Sequence, residues 1–360
     1  MSFFIDIVIT VLACYLSLTS YMADKIDNFL VNNLEQTPPV EIAEKSTIST
    51  IPGPNRQPIP DILLRSAKYQ QAALAGSAGL TGATTRDPFD AIVNVFCTMT
   101  TPEVIRTTTG SGFFIDPDGV IVTNAHVAQF LLLEETNDLG EAKCVIRSGD
   151  PAAPKYLAEL LYLPPAWIQD NSSVLSAEVP MGTGERDYAL LYVSKSVDDS
   201  PLPAKFPALG FNTSKLPLSS RNDYVLAAGY PAAPLLADGP SADLIPKKAT
   251  TTISELYTFG SNFADVFSIR GSLVGTEGSS GGPVLNEDGE VIGIIVTRGD
   301  DAVDGSGSLR AITLSHIEQT MIEETSFNLA QQLSGNLAFR SQVFTETMSP
   351  FLLRILQLAN

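Results

Sequence analysis

Basic residues, histidines and cysteines are scarce in this sequence. Its 360 residues include 22 Lys and Arg against 40 Asp and Glu, which gives a formal net charge of −18 at pH 7. Because a nucleic-acid-binding surface needs positive potential, this balance argues against nucleic acid as a partner. The sequence also lacks a Walker phosphate loop, a dinucleotide fingerprint and Cys/His metal-ligand spacing. We therefore expect neither a cofactor nor a bound metal.

An uninterrupted apolar run of full membrane-spanning length is also missing. Residues 3–22 are mostly apolar but contain Asp6, which leaves an uncharged run of about twelve residues where a full span needs about twenty. No basic residue precedes the run and no small-residue cleavage motif follows it, so a cleaved secretory signal is not favoured. We interpret residues 1–34 as an N-terminal segment with an uncleaved membrane anchor. A buried amphipathic helix is the alternative.

The segments at either end of the central region differ from it in composition. Six prolines among polar residues in 35–60 are typical of a semi-extended linker, and we assign residues 35–89 to a linker with a short helix. After residue 322, apolar residues recur at helical spacing, which predicts a C-terminal helical tail over 323–360. This tail either packs back onto the protein or docks to a subunit or a membrane.

Short β-branched runs alternate with Gly, Pro and Asp turns between residues 90 and 322. This pattern predicts an all-β barrel or sandwich, and the length suffices for two small barrels. A hairpin turn is expected at residues 286–289. The predicted strands cover residues 92–96, 120–123, 188–193, 224–228 and 291–296.

Residues 278–283 read Gly-Ser-Ser-Gly-Gly-Pro and offer a serine hydroxyl on a backbone that glycines allow to bend tightly. A serine hydroxyl needs a base to take its proton and N–H donors to stabilise the oxyanion that forms when it attacks a carbonyl. We predict Ser280 as the nucleophile. The amides of Gly278 and Ser280 are the predicted oxyanion hole.

The base should be one of only two histidines. His126 follows a predicted strand directly, in Thr-Asn-Ala-His-Val, where a side chain is held rigidly. His316 lies in a Ser-x-x-Glu capping box, and we expect it at the surface at the start of a helix. His126 is therefore the predicted general base.

A carboxylate should orient the imidazole and stabilise its cation. Asp187 opens a near-continuous apolar strand, where a partly desolvated carboxylate needs a hydrogen-bonded partner. Asp170 and the pair Asp198 and Asp199 compete for this role, but they lie in polar stretches typical of solvated loops.

The three motifs, in the chain order His, Asp, Ser, resemble those of the chymotrypsin/trypsin-like serine proteases. The run Gly-Ser-Gly-Phe-Phe-Ile-Asp-Pro-Asp-Gly at residues 110–119 resembles the HtrA-type branch. The resemblance spans about residues 90–322 and implies a protease domain of two six-stranded antiparallel β-barrels with the active site between them. His126 and Asp187 would come from the first barrel and Ser280 from the second. The implied activity is that of a serine endopeptidase on protein substrates, and a homo-oligomer is possible because HtrA-type enzymes are often trimers.

The chain departs from the wider family at Ser279. Zymogens of that family carry an aspartate there, which pairs with a newly cut N-terminus to form the oxyanion hole. Ser279 has no charge, so we expect no maturation of that kind. HtrA-type enzymes often carry a PDZ domain, and the residues after 322 are too few for one.

Substrate preference is implied by the family pattern alone. Val274 stands where a trypsin-like enzyme holds an aspartate, so we expect a small or aliphatic residue before the cleaved bond rather than Lys or Arg. Arg298 and Arg310 give an alternative preference for acidic residues. The implied pocket consists of Val274, Gly275, Thr276, Val296 and Thr297.

Cys97 and Cys144 lie on two predicted strands that flank the histidine region. A disulfide between them would fit an oxidising compartment, and two buried free thiols are the alternative. From the predicted anchor we expect a membrane-attached protein. We expect its protease domain to be extracytoplasmic, that is periplasmic, extracellular or organellar. The competing functional hypothesis is a catalytically silent protease-fold module that binds peptides or scaffolds an assembly.

Overall fold

The computed structural model describes residues 49–50, 82–100, 105–135, 141–173, 184–271, 273–275, 277–299 and 307–359. The predicted anchor at residues 3–22 and most of the predicted linker lie outside these ranges. Within them, no helix combines the length and apolar character needed to span a bilayer. The first described element is the two-residue strand β1 (Ser49–Thr50).

Six strands form a first barrel: β2 (Ile92–Thr100), β3 (Ile105–Asp116), β4 (Val120–Thr123), β5 (Glu141–Ser148), β6 (Ala153–Tyr162) and β7 (Ala189–Ser196). They pair antiparallel in the closed order β2–β3–β4–β7–β6–β5. The turn between β3 and β4 contains the Asp-Pro-Asp-Gly run of residues 116–119, in which Gly119 has φ +93°.

A second barrel follows: β8 (Gly210–Phe211), β9 (Tyr224–Gly229), β10 (Lys247–Thr258), β11 (Val266–Ile269), β12 (Pro283–Leu285), β13 (Glu290–Arg298) and β14 (Leu309–Thr313). Six of these strands pair antiparallel in the order β9–β10–β11–β14–β13–β12, and β12 returns to β9 to close the ring. The strands β1 and β8 add in parallel to β10 and β13. The predicted all-β fold of two six-stranded barrels is therefore confirmed.

The helices of the described residues lie between strands or after the second barrel. The loop residues 129–135 and 218–220 form 3₁₀ turns. The α-helices are α1 (Pro88–Ala91), α2 (Ala125–Ala128), α3 (Pro165–Asn171), α4 (Ala233–Asp238), α5 (Leu314–Thr325), α6 (Leu329–Gln332), α7 (Leu337–Thr347) and α8 (Ser349–Ala359).

The C-terminal helices pack back onto the first barrel. The Ser341 hydroxyl of α7 donates to the Leu160 carbonyl of β6 at 3.0 Å. The rings of Phe344 and Tyr162 meet edge to face, 6.4 Å apart. The buried apolar residues of the tail, including Leu352, join the same core cluster as the barrel interior. Of the two interpretations of this tail, packing onto the protein is the one that the structure shows.

His316 lies in the first turn of a helix, as predicted, but the prediction that it lies at the surface was wrong. Its side chain is buried, with Nδ1 3.0 Å from Asp265 Oδ1. The helix begins earlier than the Ser-x-x-Glu pattern indicates, because β14 runs directly into α5 and Thr313 is the N-cap, accepting from the His316 amide at 3.1 Å. This start turns His316 towards the second barrel instead of the solvent.

Cys97 and Cys144 form a disulfide. They lie directly opposite each other in the antiparallel pair β2–β5, with their Cα atoms 4.0 Å apart. The register of these two strands therefore brings the two thiols together, and the disulfide is the alternative that the structure supports.

Candidate active site

Strand pairing brings His126 and Asp187 together. In the antiparallel pair β4–β7, Thr123 at the end of β4 lies opposite Ala189 at the start of β7. The residues that follow Thr123 therefore meet those that precede Ala189. His126 lies in the single turn of α2, and Asp187 lies two residues before β7.

Both carboxylate oxygens of Asp187 are bound by His126. The His126 amide donates to Oδ1 at 2.9 Å, and the ring Nδ1 lies 2.7 Å from Oδ2. The side-chain amide of Asn124 donates to the Asp187 carbonyl at 2.7 Å and fixes the backbone. Asp187 is fully buried and His126 nearly so. The imidazole is thus held in one orientation.

This geometry sets the proton positions on the ring. A carboxylate oxygen accepts hydrogen bonds, so Nδ1 of His126 carries a proton in this pair. The neutral ring then presents a lone pair on Nε2, which is the state that a general base requires.

The competing carboxylates lie elsewhere. Asp198 and Asp199 are exposed in the turn after β7, and Asp170 lies in α3. Within the described ranges, the only carboxylate that hydrogen-bonds to the His126 ring is that of Asp187. The sequence-based choice of Asp187 therefore agrees with the geometry.

The turn that carries Ser280 lies against the first barrel. The Ser111 amide of β3 donates to the Ser280 carbonyl at 2.7 Å. Gly110 beside it leaves no room for a side chain, since a Cβ there would lie 2.5 Å from Val127 Cγ2 and 3.3 Å from the Ser280 carbonyl oxygen. Because Val127 follows His126, the serine turn and the histidine helix converge at Gly110.

The Ser280 hydroxyl does not yet bond to the imidazole. Its Oγ lies 3.5 Å from the Val296 carbonyl oxygen, and the described residues include no hydrogen bond between Oγ and His126. In structures without substrate such bonds are often long and tighten only in the reacting complex. Ser280 is half-buried, so part of this residue contacts solvent.

The predicted oxyanion amides are free to donate. Gly278 has φ +90°, a conformation that glycine adopts without strain. The Glu277 carbonyl accepts from the Ala232 amide at 2.6 Å, and the C=O and N–H of a trans peptide point in opposite directions. The Gly278 N–H therefore points away from Ala232. In the described part of the chain, neither this N–H nor that of Ser280 has an acceptor.

The predicted pocket residues are only partly accessible. Val274, Gly275 and Val296 are buried, Thr297 is half-buried, and Thr276 lies outside the described residues. Val274 belongs to the apolar core cluster of the second barrel.

The two arginines considered for acidic specificity differ in their surroundings. The Arg310 guanidinium lies over the Tyr257 ring, 4.8 Å from its centroid, whereas Arg298 is exposed.

Two supporting residues were not identified from the sequence. Arg186, directly before Asp187, has φ +57° and forms an ion pair with Glu324 of α5. Tyr188, directly after Asp187, is fully buried, and burial together with Glu324 raises the pKa of its hydroxyl. Ser111 was noted only as part of a glycine-rich motif. None of these three roles has a local sequence signal, because the partners lie more than a hundred residues away along the chain.

A family comparison identifies the central part of this chain. The model of the trypsin-like peptidase domain family matches residues 110–294, just over half of the chain. The structure is similar to the crystal structure of the active form of the Rv3671c protease from M. tuberculosis, with 18% identity and a TM-score of 0.38, covering 79% of this chain and 93% of that chain. The comparison with curated proteins finds no match. The matched residues include His126, Asp187 and Ser280, and the chain belongs to the trypsin-like peptidase domain family.

Proposed function

We propose that this protein is a serine endopeptidase that hydrolyses peptide bonds in protein substrates through an acyl-enzyme. The observation that carries the proposal is the convergence at Gly110 of the Ser280 turn and the helix of His126, whose ring is bound to the buried Asp187. A nucleophile, a base and an orienting carboxylate on facing barrels form the arrangement that acyl transfer requires.

The chemistry follows from these positions. Nε2 of His126 takes the proton of the Ser280 hydroxyl as Oγ attacks the substrate carbonyl. The amides of Gly278 and Ser280 donate to the oxyanion, and Asp187 stabilises the imidazolium. His126 then passes the proton to the leaving amine, which gives the acyl-enzyme. Water, activated by the same imidazole, hydrolyses the ester and restores Ser280.

For substrate preference, we propose a small or aliphatic residue before the cleaved bond. One support is the uncharged Val274 at the position where a trypsin-like enzyme has an aspartate. A second support is that the Arg310 guanidinium stacks on the Tyr257 ring, which directs this positive charge to the ring instead of to an acidic substrate residue. A cleavage-site profile on a peptide library tests this preference. A majority of cuts after Lys, Arg, Asp or Glu would contradict it.

We also propose that residues 3–22 anchor the chain to a membrane, with the protease domain extracytoplasmic. The support is the apolar run in the sequence and the disulfide Cys97–Cys144, since disulfides persist in oxidising compartments. Fractionation of cells that express the full chain, beside a chain beginning at residue 35, tests the anchor. Recovery of both chains in the soluble fraction would contradict it.

Digestion of casein distinguishes the enzyme from a catalytically silent module. The wild-type chain should release peptides, and Ser280→Ala or His126→Ala should lower the rate by at least about 10⁴-fold. Ser341→Ala, which removes a buried hydroxyl in α7, should retain activity. A wild-type protein that binds casein without cutting it would favour the silent module.

A further inference from the structure

The backbone that forms the oxyanion hole is fixed at four successive carbonyl groups. The Glu277 carbonyl accepts from the Ala232 amide at 2.6 Å, and the Ser279 carbonyl accepts from the Gly282 amide at 2.9 Å. The carbonyls of Gly278 and Ser280 accept from a single residue of the first barrel, Ser111. No other described residue donates to two of these four carbonyls.

The hydroxyl, amide and carbonyl groups of Ser111 all form hydrogen bonds. Its hydroxyl donates to the Gly278 carbonyl at 2.7 Å and accepts from the Tyr230 amide at 2.8 Å. Its amide donates to the Ser280 carbonyl at 2.7 Å, and its own carbonyl accepts from the Thr123 hydroxyl at 2.7 Å. The side chain is fully buried. Ser111 therefore has a fixed position and an oriented hydroxyl.

The bond to Gly278 matters because glycine has no side chain that restricts its backbone dihedral angles. With φ +90° and no side chain, its backbone has no steric preference for the catalytic conformation. The Glu277 carbonyl is fixed on one side of Gly278 by Ala232, and the Gly278 carbonyl is fixed on the other side by Ser111. The Gly278 N–H lies in the first of these peptide planes, and Ser111 holds the second. Rotation about either backbone bond of Gly278 would therefore break one of the two hydrogen bonds.

The neighbouring residue supplies no such anchor. Ser279 is fully buried, and its hydroxyl has no hydrogen-bond partner within the described part of the chain. Its side chain therefore does not hold the turn, whereas the Ser111 hydroxyl, from the facing barrel, does.

We propose that Ser111 is a positioning residue that holds the Gly278 amide in the oxyanion hole through the Gly278 carbonyl. The inference rests on the proposed function, since it needs Ser280 to attack a carbonyl. It also assigns a role to the serine of the Gly-Ser-Gly motif, which the triad alone does not explain.

The test compares Ser111→Ala with wild type on a peptide taken from a wild-type cleavage site in casein and on the aldehyde of the same peptide. The aldehyde forms a hemiacetal whose oxygen occupies the oxyanion hole, so its affinity reports on the hole itself. Ser111→Ala should lower kcat by roughly 10- to 100-fold with little change in KM, because a loosened donor costs less than a deleted one. The affinity for the aldehyde should fall by a similar factor.

The matched control is Ser341→Ala, which also removes a buried serine hydroxyl with two hydrogen-bond partners. It should change neither kcat nor aldehyde affinity. If Ser111→Ala does not fold, Ser111→Thr keeps the hydroxyl, and its folded protein should retain turnover within about tenfold and bind the aldehyde.

Three results would overturn the inference: wild-type kcat and aldehyde affinity in folded Ser111→Ala, a loss confined to KM, or loss of turnover in folded Ser111→Thr. Ser280→Ala, measured in parallel, separates this failure from that of the proposed function. If Ser280→Ala still cleaves the peptide, the serine mechanism itself is wrong.

Discussion

Arg186, the residue directly before Asp187, forms a partly buried ion pair with Glu324 of α5. Glu324 also accepts from the Tyr162 hydroxyl at 2.6 Å. The neighbour on the other side of Asp187, Tyr188, bonds to Thr320 of the same helix at 3.0 Å. Both flanks of Asp187 are thus anchored to one helix that follows the second barrel.

Glu324→Ala should destabilise the protein strongly. It leaves the largely shielded Arg186 guanidinium without its main partner and removes one hydrogen-bond acceptor of the Tyr162 hydroxyl, which costs about 3 kcal/mol. Urea unfolding measures the loss. The matched control is Glu323→Ala, whose half-exposed carboxylate contacts the same arginine and should cost no more than about 0.5 kcal/mol. Equal losses of unfolding free energy in the two variants would contradict the role given to Glu324 as the main partner of Arg186.

Asp265 should contribute stability that depends on pH. Burial raises the pKa of Asp265, but hydrogen bonds from His316, Ser261 and the Phe259 amide outweigh it and hold the pKa below its ordinary value. The contribution is therefore complete above about pH 5 and is lost as the pH falls through about 4 towards the folded-state pKa. The difference in unfolding free energy between wild type and Asp265→Asn should shrink between pH 5 and pH 3. A constant difference across that range would refute the prediction.

Removing the disulfide should lower stability without removing the fold. Cys97 and Cys144 close a loop of 47 residues, for which a loss of about 2–4 kcal/mol is expected in the double serine variant. Alkylation of denatured, unreduced protein should modify a single thiol, that of Cys14. Modification of three thiols would show that the bond does not form.

Gly110→Ala should impair catalysis through packing. The new Cβ would lie 2.5 Å from Val127 Cγ2, so it must displace the helix of His126 from the Ser280 turn. A misplacement of that kind costs roughly 100-fold in kcat. Val127→Ala removes the obstructing methyl groups, so the double variant should recover most of the turnover. Lack of recovery, with both proteins folded, would argue against this close approach.

The sequence predicted what depends on local patterns. His126 was identified because it follows a strand directly, and the predicted strand at residues 120–123 agrees with β4 in the structure. The predicted hairpin turn at residues 286–289 also agrees with the structure. The Asn286 side chain closes this turn by accepting from the Glu290 amide at 2.9 Å. Turn chemistry and alternation of apolar residues lie within a few neighbours, so they can be read from one sequence.

The contacts between distant residues depend on which strands pair, and this pairing could not be predicted from local patterns. Ser111 and Gly278 are 167 residues apart, and only closure of the two barrels against each other brings the hydroxyl to the carbonyl. His316 was placed at the surface because a capping pattern indicates where a helix begins but not which side of it is buried. The strand preceding it, β14, decides that side by its pairing with β11.

The most direct test of the central claim is covalent labelling by a fluorophosphonate, followed by mass spectrometry of the modified peptide. The wild-type chain, without N-terminal trimming, should be labelled at Ser280, and His126→Ala should react at least about 10³-fold more slowly because the base is gone. No labelling of the folded wild-type chain, or labelling at another residue, would contradict the serine mechanism.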